Sequence, residues 1–205
     1  MKTEVVSAAL HRSILHAVDV LTHGGVVAFP TDTVYGLAAL PTNNENIERL
    51  YVVKGRTQAK AIAMLLAGAQ DLHKVAVNPT PMSLKLAEKY WPGPLTLIIS
   101  RHPDIPKAIS NDDTIGVRVP NHPAALALLR LSGPLAVTSA NLSGKPNCLS
   151  APEVLAQLQG RIHLLLDGGL TPGGVPSTVV DCTGAEPVVL REGPISLEDI
   201  QRTVI

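Results

Sequence analysis

Short apolar runs broken by glycine and proline recur along the whole chain, and that rhythm limits the folds open to it. VVAFP (26–30), LTLIIS (95–100), TIGVRVP (114–120), LAVTSA (135–140), HLLLD (163–167), STVVD (177–181) and PVVLR (187–191) have strand length and strand composition. AIAMLLA (61–67) is read as a further buried strand, although a seven-residue apolar run does not by itself exclude a helix. Helical spacing fills the gaps. Over residues 7–23 it places Ala8, Ala9, Ile14, Leu15, Ala17, Val18 and Leu21 on one face, and Gly24-Gly25 then ends it. Further helices are predicted over 43–53, 81–90 (stopped by WPGP), 122–131, 152–159 and from Ser196. Strands alternate with helices early and dominate late, which predicts an α/β (α+β) arrangement: one sheet, mixed in pairing, with helices on its faces.

The 205 residues are expected to form a single domain, because no repeat, low-complexity tract or linker divides them. With 45% apolar and 17% charged residues, the chain can bury a core that offsets the entropy of ordering. Its aromatics are Phe29, Tyr35, Tyr51, Tyr90 and Trp91, so that core is aliphatic and a ring platform for single-stranded nucleic acid is excluded. Lys plus Arg equals Asp plus Glu at 17 each, giving no overall field to attract polyanions; any anion site must be local. Cys148 and Cys182 lack the paired spacing of a zinc or redox motif and read as buried thiols. The N-terminal segment is broken by charges, and no run approaches the roughly 18 residues of a membrane helix, so a cytoplasmic protein is expected.

The polar clusters sit where strands end. Thr31, Asp32, Thr33 and Tyr35 follow the first strand, more polar hardware than a turn requires. Lys54 and Arg56 close the next helix; Arg118 lies among valines; Ser139, Asn141 and Ser143 follow LAVTSA; Ser177 and Thr178 open STVVD; Arg191 closes PVVLR. Ligands of open α/β sheets bind beyond strand ends, and four cations with a suite of hydroxyls suit an anion with several oxygens. Each cluster also has an ordinary reading. KGR fits a solvated cap at a helix C-terminus, SAN fits a hydrogen-bonded turn, and Asp32 serves either as a metal ligand or as the cap of the Thr31–Val34 turn. Arg118 needs a partner wherever it lies. GxxxxGK[ST], GxGxxG and GxSxG are absent, and the seven histidines show no metal-binding spacing, so the metal ligands stay unassigned.

Taken in order, FPTDTVYGLA, KGR, GVRVPNHP, TSANLSGKP, LDGG, GVPSTVVD and VLREG resemble the YrdC/TsaC family of threonylcarbamoyl-AMP synthases from about residue 10 to 196. The resemblance is to the single-domain form. It implies a YrdC-like fold, a twisted open mixed sheet with flanking helices around a positively charged cavity. It implies a nucleotidyltransferase that makes threonylcarbamoyl-adenylate and pyrophosphate from L-threonine, bicarbonate and ATP with Mg2+, for modification of tRNA. A downstream threonylcarbamoyl-transferase complex would take the product, and tRNA itself would bind weakly at most. By position, Thr33, Arg118 and Ser177 would contact threonine. Lys54, Arg56, Lys60, Ser139, Asn141 and Arg191 would contact ATP, with Lys54 and Arg56 catalytic. The chain departs from the family pattern at Thr57, at Lys60-Ala61-Ile62, at Leu65 where histidine is common, and at Glu192 of REG. A non-catalytic RNA-binding module of the same fold and a carbamoyl phosphate-dependent activity are the alternatives.

Overall fold

The computed structural model describes residues 2–55, 62–110 and 112–205. The expectations placed on Arg56, Thr57, Lys60 and Ala61 lie outside the described residues. Among the described residues ten strands form one sheet: β1 (Glu4–Ser7), β2 (Val27–Phe29), β3 (Gly36–Ala39), β4 (Ala63–Leu65), β5 (Leu95–Ser100), β6 (Thr114–Arg118), β7 (Leu135–Ser139), β8 (Leu164–Asp167), β9 (Thr178–Asp181) and β10 (Val188–Arg191). Their order across the sheet is β1-β8-β2-β3-β7-β4-β6-β5-β9-β10. β8 pairs in parallel with both β1 and β2, as do β4 with β6 and β5 with β9; the other neighbours are antiparallel. The sheet is mixed, as the sequence predicts.

Six α-helices of the described residues flank it: α1 (His11–Thr22), α2 (Asn44–Lys54), α3 (Pro81–Tyr90), α4 (Pro123–Ser132), α5 (Ala151–Leu158) and α6 (Leu197–Val204). Their starts follow from capping chemistry. Asn43, Thr80 and Ser196 each accept a backbone N–H three residues on, at 2.9 to 3.1 Å, and proline stands in the first turn of α3, α4 and α5. α2 ends at Gly55, whose φ of +58° is the left-handed conformation that a residue with a Cβ resists. Two expectations needed revision. The first helix begins at His11, not residue 7, because residues 4–7 pair with β8 as an edge strand. GLAA, immediately after the polar turn, is a strand of its own between β2 and β7.

Alternate residues of each strand face opposite layers. α2, α3, α5 and α6 pack on one face with Ala28, Leu37, Met64, Leu97, Val117 and Val180. α1 and α4 pack on the other, against Val27, Phe29, Ala38, Leu135, Leu164 and Leu166. On that second face the strands β6, β5 and β9 present Gly116, Arg118, Thr96, Ile98 and Val179, and these residues line a cavity instead of a helix interface. The uncovered half of the sheet is the concave part of the molecule.

Candidate active site

The cavity has a volume of about 340 Å³, within the range of small-ligand sites. Thr33, Arg118, Ser139, Ser177 and Arg191, five of the residues singled out in the sequence, all line it. Its floor is made of small and apolar side chains, Ala63, Leu65, Gly116, Ile98 and Val137.

The polar turn after β2 closes one end. The Thr31 hydroxyl donates to the Val34 carbonyl at 2.6 Å, accepts the Thr33 N–H at 3.1 Å and lies 3.0 Å from the Thr33 hydroxyl. Thr31, not Asp32, therefore holds this turn. Asp32 instead accepts from the Arg118 guanidinium at 2.5 Å and from the Asn121 N–H at 3.0 Å. Tyr35 is likewise structural, because its phenol donates to the Gly169 carbonyl at 2.8 Å and accepts the Gly168 N–H at 3.1 Å. Burial raises that phenol above its ordinary pKa, with the Asp167 carboxylate adding to the rise and the Gly168 N–H opposing it.

Arg118 is only 6% exposed, and its fork is fixed on three sides. It donates to the Gly93 carbonyl at 3.0 Å, to the Thr33 hydroxyl at 2.9 Å and to Asp32. Burial lowers its pKa, Asp32 counters that, and Arg191 adds a smaller like-charge push downward; a guanidinium stays cationic throughout. The partner demanded by a charge among valines is thus Asp32. Arg191 is anchored differently. It donates to the Ser177 carbonyl at 3.0 and 2.8 Å and to the Ser177 hydroxyl at 3.0 Å. Among the described residues no carboxylate forms an ion pair with Arg191, so its charge is not neutralised as that of Arg118 is.

At the other end, Lys54 overturns the reading of KGR as a solvated cap. It is 3% exposed, and its ammonium donates to the carbonyls of Ser139 and Asn141, the latter at 2.7 Å, and to the Asn141 side chain at 3.3 Å. Asn141 in turn receives the Ser139 hydroxyl and donates to the carbonyls of Leu142 and Lys145 at 2.9 and 2.7 Å. Lys54 and Asn141 thus form a bracket behind the wall on which Ser139 sits, and neither is among the lining residues. The sequence reading also passed over Thr96, a buried residue of β5 whose hydroxyl lies 2.8 Å from that of Ser177. Its signal was available: in LTLIIS it shares with Ile98 and Ser100 the face opposite Leu95, Leu97 and Ile99, a polar residue inside an apolar strand.

Asp32 is already engaged by Arg118 and Asn121, and among the described residues no group of three His, Cys, Asp or Glu side chains suits a metal. The described lining therefore does not fit a metal held by the protein.

Comparison with known proteins identifies the family of this fold. The Sua5/YciO/YrdC family model, described as telomere recombination, matches residues 19–193. A threonylcarbamoyl-AMP synthase of Bacillus subtilis is 42% identical over 195 residues, covering 93% of this chain and 56% of the relative. One from Pyrococcus abyssi is 40% identical over 186 residues, covering 90% of this chain and 55% of the relative. The chain thus spans a little over half the length of these two relatives. Among solved structures, P. abyssi Sua5 complexed with L-threonine superposes with a TM-score of 0.94 at 37% identity, over all of this chain and 61% of that one. Escherichia coli YciO superposes with a TM-score of 0.85 at 28% identity, over 97% of this chain and 98% of its own. With the overall fold and 175 contiguous residues in agreement, the chain belongs to the Sua5/YciO/YrdC family.

Proposed function

We propose that this protein is a threonylcarbamoyl-AMP synthase, a nucleotidyltransferase acting on L-threonine, bicarbonate and ATP. The observation that carries the reading is the convergence of Thr33, Arg118, Ser139, Ser177 and Arg191 on one cavity. Support comes from the two relatives of that name and from the threonine complex of P. abyssi Sua5. The roles proposed for the individual residues are as follows. Thr33, Arg118 and Ser177 hold threonine at the end closed by the polar turn. Ser139 and Arg191 contact the ATP phosphates, and Arg56 and Lys60 are assigned to the same group by sequence resemblance. Lys54 and Asn141 act from behind, shaping the turn that presents Ser139.

In the reaction the threonine amine attacks the carbon of bicarbonate, releasing water and leaving a carbamate. A carbamate oxygen then attacks the α-phosphorus of ATP, the bond to the β-phosphate oxygen breaks, and pyrophosphate leaves. Two anions must meet, so fixed cations lower the barrier by offsetting their repulsion and stabilising charge at the transferring phosphorus; alignment supplies much of the rest. No protein nucleophile is needed. Mg2+ would arrive on the ATP phosphates with its own water ligands, as this ion commonly does. The adenylate would pass to a downstream threonylcarbamoyl-transferase complex, with direct tRNA contact a minor element.

The test is pyrophosphate release from ATP with each substrate omitted in turn. The proposal expects release only when threonine and bicarbonate are both present. Release driven by carbamoyl phosphate instead, or salt-sensitive tRNA binding with no adenylate formed, replaces it with one of the alternatives.

A further inference from the structure

We infer that Thr96 is a positioning residue that sets the Ser177 hydroxyl as a hydrogen-bond donor toward an anionic oxygen of the bound amino acid. This rests on the reading of that end of the cavity as the amino-acid site. Ser177 has one hydroxyl proton and two lone pairs. One lone pair receives the Arg191 guanidinium at 3.0 Å, and the Thr96 hydroxyl is 2.8 Å away. With Thr96 donating into the second lone pair, the Ser177 proton has only the cavity left to address. An acceptor-rich group such as a carboxylate is what that proton would bind.

The orientation of Thr96 is itself built in. Thr96 is 6% exposed and carries a β-branched side chain, so few rotamers are open to it. Its methyl lies against Gly116 of the neighbouring strand, at only 3.2 Å from where a Cβ on that residue would stand. The bare backbone of Gly116 thereby seats the methyl and leaves the hydroxyl turned to Ser177. Removing the hydroxyl frees Ser177 to rotate and to lose its donor direction, while the fold is barely touched. Thr96 acts through Ser177; it is not itself a catalytic residue.

The experiment is titration calorimetry of L-threonine and, separately, of ATP into the wild type, Thr96→Val and Thr96→Ser, with a thermal melt of each. The valine keeps the shape and removes the hydroxyl; the serine keeps the hydroxyl and removes the methyl. Thr96→Val is expected to weaken L-threonine binding by roughly tenfold, the worth of one hydrogen bond to a charged group. ATP affinity and melting temperature should stay near those of the wild type, and Thr96→Ser should recover most of the lost threonine affinity. Unchanged threonine binding in Thr96→Val, an equal loss in both variants, a parallel loss of ATP binding, or no threonine binding by the wild type overturns the inference. Because calorimetry reads binding directly, missing pyrophosphate release would sink the proposed reaction without touching this assignment.

Discussion

At the residue scale, two buried charges do different work. The Arg118–Asp32 pair is 7% and 11% exposed at its side chains, and each partner offsets the buried charge of the other. Asp32→Asn leaves the guanidinium without its counter-charge, so we expect a stability loss of about 3 to 5 kcal/mol in urea denaturation. Lys54→Met keeps the aliphatic stem but removes the ammonium donor from the Ser139 and Asn141 carbonyls, the former keeping only the Asn141 N–H at 3.0 Å among the bonds outside the strands. It is expected to cost about 1 to 3 kcal/mol and to lower turnover through misplacement of Ser139. A Lys54→Met protein with wild-type stability would contradict the bracket. The cysteines answer mainly to burial. The Cys148 thiol is pushed up to about 11 and the Cys182 thiol to about 12, burial being the larger cause and the neighbouring carboxylates Glu153 and Asp181 the lesser. Both should resist thiol reagents at pH 8 until the chain is unfolded. Since the unfolded thiols ionise first, near 9.0, stability should decline as pH rises from there through these values.

At the scale of elements, His163 joins the starts of two adjacent strands. Its Nδ1 accepts the Val26 N–H at 3.0 Å, which requires the neutral ring. Burial lowers its pKa, and Arg49 lowers it further. A depressed histidine stabilises the fold above its ordinary value of 6.5 and loses that contribution as pH falls through the lowered value. Urea melts across pH 7 to 5 should therefore show a decline that is shallower in His163→Gln. How much of this architecture was legible depended on contrast. Strands such as LTLIIS and STVVD stand out because apolar residues fill both faces or alternate cleanly. GLAA of β3 did not, since glycine and alanine have weak strand preference and the segment continues directly from a turn. β1 was hidden because Glu4–Ser7 is an edge strand whose partner lies about 160 residues away. The candidate site was legible where charges break apolar context, as at Arg118. It was not where a residue's role is to touch another, as with Thr96, or where burial inverts an exposed reading, as with Lys54.

For the molecule as a whole, the uneven covering of the sheet is decisive. α1 and α4 cap one half of a face, and the other half is left concave, floored by small residues and walled by strand ends that carry hydroxyls and guanidiniums. Among the described residues on that wall, Arg118 is paired with Asp32 while Arg191 has no carboxylate in an ion pair, which leaves more of its charge for an incoming phosphate. In the proposed reaction much of the transition-state stabilisation would fall to Arg191 together with Arg56. The most direct test is threonine-dependent pyrophosphate release by wild type and Arg191→Ala under saturating bicarbonate, with melting temperatures measured alongside. A fall in kcat/KM of roughly 100-fold or more in a folded variant is the expected result. Turnover equal to that of the wild type would show that the cavity is not where the two anions meet.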